Sequence, residues 1–165
     1  MATVNTTYGA DIAIGAALTP TSVPSGTESE ILADFDAFTY TSIEEVTDLG
    51  SVGDTATTVT HLPVKAGRSR KYKGSRDAGE QTITCAYAPD DPGQDAMRAA
   101  SKTQFDYPFK ITLNDAPSGG TPTEIYYYGK VMANPFNFGG SDTITEMTYT
   151  IGINSAVYIV EAASA

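Results

Sequence analysis

QTITCAYA, Gln81 to Ala88, decides how this chain is read. Ile83, Cys85 and Tyr87 fall on one side of an extended backbone, and Thr82, Thr84 and Ala86 on the other. That period of two marks a half-buried β-strand. The same pattern recurs downstream. Tyr107, Phe109, Ile111 and Leu113 alternate, and between Thr143 and Ile153 the residues Met147, Tyr149, Ile151 and Ile153 face away from Glu146, Thr148 and Thr150. Upstream, shorter β-type runs span Ala37 to Val46 and Ala56 to Val64, separated by the glycine turn Asp48 to Asp54. Glu124 to Ala133 is a further strand in which Tyr126, Tyr127 and Tyr128 are consecutive, so rings must stand on both faces of the sheet. One of those faces is expected at an interface, with Tyr126 and Tyr128 as candidates. Ala156 to Val160 closes the series with a short apolar run.

About seven strands with turns at regular spacing predict a mainly β protein, an antiparallel β-sandwich or partial barrel. One flanking helix is expected from Pro92 to about Lys102, with Asp91 at the N-cap, Pro92 at the first position and Gln94 in a variant of the capping box. Ala96, Met97, Ala99 and Ala100 give it a narrow face of mostly small residues. Asp90, Asp91 and Asp95 are explained by helix-terminus electrostatics rather than metal binding. The chain is 165 residues long, enough for one domain, and its core is built without tryptophan from aliphatics, ten Tyr and six Phe. Cys85 stands alone and is read as a small buried hydrophobe.

Residues 1–34 carry no sustained period and contain Pro20 and Pro24, so they are expected to form an N-terminal arm ahead of a single domain at 35–165. If the arm orders against a neighbouring subunit, Tyr8, Ile12, Ile14 and Leu18 are its anchors. Ile12 to Leu18 is too short and too glycine-interrupted for a signal peptide or a membrane span, and a soluble, cytosolic protein is expected. The Asn5-Thr6-Thr7 pattern then has no secretory context.

Charge is distributed unevenly. Six of the ten basic residues, Lys65, Arg68, Arg70, Lys71, Lys73 and Arg76, lie in the glycine-punctuated run from Val64 to Glu80 with no acid between the first and the last of them. Lys65 to Arg76 carries +6 and the rest of the chain −16, for a net −10. A long hairpin loop joining two strands is expected here, available to nucleic acid, to an anionic ligand or to the acidic surface of another copy. No catalytic, cofactor or metal residues are assigned. His61 is the only histidine, no cysteine lies near it at ligand spacing, and no GxSxG turn, GxxxxGK[ST] loop or GxGxxG fingerprint is present.

In their order along the chain, the run Ile43 to Gly53, the strand end Thr60-His61-Leu62, the loop Arg70 to Gly79 and the helix Pro92 to Ala100 resemble the major tail tube proteins of long, non-contractile-tailed bacteriophages. Gly129-Lys130-Val131 and Asp142 to Ile153 extend the resemblance, which runs from about Phe38 to Val160. It implies a subunit of hexameric rings stacked into a tube, a component of the virion tail assembled in the host cytoplasm. It implies partners as well: other copies of the chain, tape-measure and tail-end proteins, and double-stranded DNA that passes without tight binding. No membrane is involved. The hairpin of that family reaches into the adjacent ring, a role that here falls to Lys65, Arg68, Arg70, Lys71, Tyr72, Lys73 and Arg76. Two alternatives remain: a sugar- or nucleic-acid-binding β-sandwich module using Tyr126 to Tyr128 or the basic loop, and the tube subunit of a related bacterial injection system.

Overall fold

The computed structural model describes residues 4, 6–18 and 25–164, so Asn5, Pro20 and Pro24 fall outside the described residues. Eleven strands and two helices follow in the order β1 (Asp11–Ile14), α1 (Glu28–Asp36), β2 (Thr41–Ser42), β3 (Val46–Asp48), β4 (Thr55–His61), β5 (Arg70–Asp77), β6 (Glu80–Ala86), α2 (Pro92–Ala100), β7 (Tyr107–Thr112), β8 (Glu124–Ala133), β9 (Phe136–Asn137), β10 (Glu146–Ile153) and β11 (Tyr158–Val160). Nine strands form one antiparallel sheet, with the path β2-β1-β7-β8-β10-β6-β3 and with β11 and β9 lying beside β8 and β10. The sheet stays open, ending in strands of two and three residues that leave few unpaired backbone groups. β4 and β5 pair only with each other, as a separate hairpin.

Alternation produces the core as expected. Ile83 and Cys85 on β6 meet Met147, Tyr149, Ile151 and Ile153 on β10. Farther along the sheet, Tyr127 stacks on Phe109 at 5.3 Å between centroids, and Ile12 and Ile14 complete the layer. Tyr87, expected on the same face as Cys85, lies past the end of β6 and is exposed.

α2 covers this layer with Met97 and Ala100, and Gly93 brings the helix close to the chain at β2. A Cβ on Gly93 would stand 2.0 Å from the Ser42 carbonyl oxygen, so no larger residue fits. Asp91 caps the helix, accepting from the amides of Gly93 and Gln94 at 3.0 Å each. Gln94 is not the capping-box partner the sequence suggested. Its buried side chain accepts from the Ala88 amide and donates to the carbonyls of Glu44 and Ala86, tying α2 to both flanking segments.

A second helix corrects the expectation of one. The Thr27 amide donates to the Glu30 carboxylate at 2.8 Å, and Ile31 and Phe35 turn inward onto the opposite face of the sheet. There Phe35 stacks on Tyr128 at 4.2 Å and tilts against Tyr126 at 5.2 Å. The arm at 1–34 is corrected at two places: β1 is an internal strand between β2 and β7, and most of α1 falls within those residues. None of the described helices is long and apolar enough to cross a membrane.

Candidate assembly interface

β4 and β5 are built from TATTVTH and RKYKGSRD, and every residue of the pair except Gly74 is exposed. Most of the segment expected to be a loop is therefore strand, and the connection is confined to residues 62–69. The amides of Ala66 and Gly67 turn back to the Pro63 carbonyl there, with Gly67 at φ +58°. β4 therefore pairs with β5, not with β6 across a long loop.

Cross-strand register sorts the side chains onto two faces. Val59 lies opposite Tyr72 and His61 opposite Arg70, on one face. Thr58 opposes Lys73 and Thr60 opposes Lys71 on the other. One face is thus apolar with a terminal cation, and the other cationic with threonines. Val59 and Tyr72 are about half exposed, at 52% and 51%, and Leu62 and Val64 at the tip are open to solvent.

The ion pairs among the described residues are Arg98–Asp95, Lys110–Glu124 and Lys130–Asp106. No hairpin cation takes part, so all six of them face solvent without an intramolecular carboxylate. An isolated two-stranded hairpin is marginally stable in water. An exposed strand pair with half-open apolar side chains and six unpaired cations has the composition of a contact surface.

The other candidates sort differently. Ile12, Ile14, Tyr126 and Tyr128, read as subunit-interface anchors, are buried inside the chain itself. Ile12 and Ile14 belong to the central sheet, and α1 seals the two tyrosines. Leu18 is half-buried against the α1 cluster, whereas Tyr8 is exposed. Tyr127 is buried on the α2 side, where its hydroxyl donates to the Gln81 carboxamide. With all three rings enclosed, Tyr126 to Tyr128 offer no face for stacking a sugar or a base.

Burial raises the hydroxyl pKa of all three tyrosines, that of Tyr128 to about 12, with Asp34 adding to the effect there. The Cys85 thiol is pushed up to about 11, by burial first and then by Asp91, so it stays protonated and inert. Among the described residues, no group of three or more His, Cys, Asp or Glu side chains is placed to hold a metal ion.

No protein-family model and no curated protein matches the sequence significantly. Solved structures do match the architecture. A chain of the sheath/tube terminator of PVC, an extracellular contractile injection system, superposes with a TM-score of 0.67 at 12% identity, covering 96% of this chain and 98% of that one. A chain of the anti-feeding prophage baseplate gives 0.66 at 10%, with 98% of each covered. The SPP1 tail tube gives 0.58 at 8%, covering 92% of this chain and 76% of that one. The chain has the tail-tube fold.

On the tail-tube sheet, the side of β6 and β10 turned away from the core carries Thr82, Thr84, Thr148 and Thr150 with Glu80 and Glu146, and no Lys or Arg. Thr84 and Thr148 are direct cross-strand neighbours, 3.5 Å apart at their hydroxyls. This hydroxyl- and carboxylate-bearing strip contrasts with the cationic hairpin of the same fold.

Proposed function

We propose that this protein is a structural, non-catalytic subunit of a tube, assembling as hexameric rings that stack through the β4–β5 hairpin. The hairpin carries the reading: an exposed, self-paired β-ribbon whose six cations have no partner within a chain of net charge −10. A second copy supplies the missing carboxylates, and head-to-tail contact between unlike surfaces is the geometry that generates filaments. The cation-free strip of β6 and β10 suits the bore. Threonines and glutamates there give a phosphate backbone no counterion-release attraction, so DNA slides without sticking. In a phage this places the protein in the virion tail, around the tape-measure protein and beneath the tail-end proteins, as the conduit for DNA ejection.

The likeness to PVC and the anti-feeding prophage favours a second reading, the tube of a contractile injection system, because there the fold agrees over nearly the full length of both chains. Mass spectrometry and nucleic-acid staining of particles containing the protein separate the two, since only a phage carries a packaged genome.

Electron microscopy and sedimentation of purified protein test the self-assembly common to both. Rings or tubes are expected from the wild type, and a folded, non-stacking subunit from Arg70→Glu/Lys71→Glu. Wild-type protein that stays monomeric at high concentration contradicts the tube, and normal tubes from the variant contradict the role of the hairpin.

A further inference from the structure

If the hairpin reaches a second copy, something on that copy must receive it, and the molecule carries one surface with matching chemistry. Tyr87, Phe136 and Phe138 form an exposed aromatic cluster, and Ile144 is exposed on the segment that leads from it into β10. Phe136 and Phe138 stack at 5.6 Å, Tyr87 packs edge-on against Phe136 at 5.0 Å, and Phe138 and Ile144 are 78% and 70% exposed. Three aromatic side chains left open together mark a contact site.

Its position is defined by β10. Phe136 pairs with Met147, and the Tyr87 amide bonds the Thr145 carbonyl, so the cluster lies where β10 begins. The hairpin is rooted where β10 ends. Gly152 pairs with Glu80, the Ile153 amide bonds the Gly79 carbonyl, and Asp77 and Arg76 border a recess with Ile153 and Asn154. Eight residues of strand, roughly 25 Å, separate the two.

Charge matches as well. Around the aromatic cluster, Glu44, Glu45, Asp90 and Asp142 are exposed and Glu146 is half-exposed. Glu45 and Asp90 flank the same end of β6, where the Ala86 amide bonds the Glu45 carbonyl. The cation there, Arg98, lies over the Tyr87 ring and is already paired with Asp95. An aromatic patch with exposed carboxylates on the neighbouring segments thus answers an apolar ribbon face flanked by Arg70, Arg68 and Lys65.

We propose that the Tyr87–Phe136–Phe138 cluster is the seat for the Val59–Tyr72 face of a second copy's hairpin. This assignment rests on the tube reading and names the receiving half of its axial contact. Because the root of the hairpin and the seat lie at opposite ends of β6 and β10, every copy can give and receive at once, and the repeat propagates along one axis.

Charge exchange tests it in the full chain, using side chains that are all exposed. Arg68→Glu/Arg70→Glu is expected to abolish stacking, and adding Asp90→Lys/Asp142→Lys to that variant is expected to restore it. Phe136→Ser/Phe138→Ser, with an unchanged circular dichroism spectrum, is expected to raise the critical concentration for assembly at least about tenfold. Wild-type tubes together with a Phe136→Ser/Phe138→Ser variant that assembles at the wild-type concentration, or with no rescue by the charge exchange, overturn this seat while leaving the tube standing. A wild type that forms no assembly overturns both.

Discussion

Glu124 shows how much of the chain's chemistry is structural. Its carboxylate accepts from the Tyr126 hydroxyl at 2.6 Å and pairs with Lys110 at 2.5 Å, fastening the first residue of β8 to its neighbour β7. Burial pushes its pKa up, but the hydrogen bonds from Lys110 and Tyr126 outweigh it, and the net shift is downward from 4.5. A folded pKa below the unfolded one stabilises the fold fully above about pH 4.5, and this stabilisation is lost as pH falls through the folded value. Glu124→Gln is therefore expected to be less stable than wild type at pH 7 and to lose less stability between about pH 5 and 3, as read by denaturant titration across pH. Nothing in the sequence singled out Glu124, because its partners come together only through the register Lys110–Tyr126 and Thr112–Glu124. The consecutive tyrosines were legible, in that rings on both faces follow from strand geometry alone. What covers the outer face was not, since that depends on where α1 docks.

Among the elements, the strands with a core-facing side were readable, and of the two hairpin strands without one, β4 was legible from its β-branched run while β5 was not. β6, β7, β8 and β10 alternate because one side of each meets the core. β5 has no such side, so RKYKGSRD reads as a loop even though its backbone pairs with β4 along its length, with one register shift between Ala56 and Thr58. β1 is only four residues long, too short for periodicity to register. α1 did carry a signal, the box Thr27-x-x-Glu30 ahead of Ile31, Leu32 and Phe35, masked by the proline- and glycine-rich sequence before it. Phe35, fully enclosed against Tyr126 and Tyr128, holds α1 to the sheet. Phe35→Ala is expected to cost about 3–5 kcal/mol in chemical denaturation and to expose both tyrosines to fluorescence quenchers. The hairpin follows the opposite logic, drawing no support from the core. Its amides from Thr55 to Asp77 are expected to exchange with deuterium fast in the free subunit and to become protected on assembly, whereas β10 is protected in both states.

For the whole molecule, the distribution of charge and of open surface points one way. Four of the ten cations lie outside the hairpin, and three of those are paired at home, while the six on the hairpin are not. The acids lie on the body, near the aromatic cluster and, with Asp54, Asp77 and Glu80, around the root of the hairpin. In the proposed assembly, repetition along one axis joins the hairpin of each copy to the next without a second protein. The direct measurement is a cryo-electron microscopy reconstruction of whatever the purified chain forms at high concentration and low salt. A tube is expected in which residues 55–77 of each copy lie ordered against the next ring, with the β6–β10 threonine strip facing the bore. A tube whose rings touch through other surfaces while the hairpin stands free in solvent, or a homogeneous field of monomers, contradicts it.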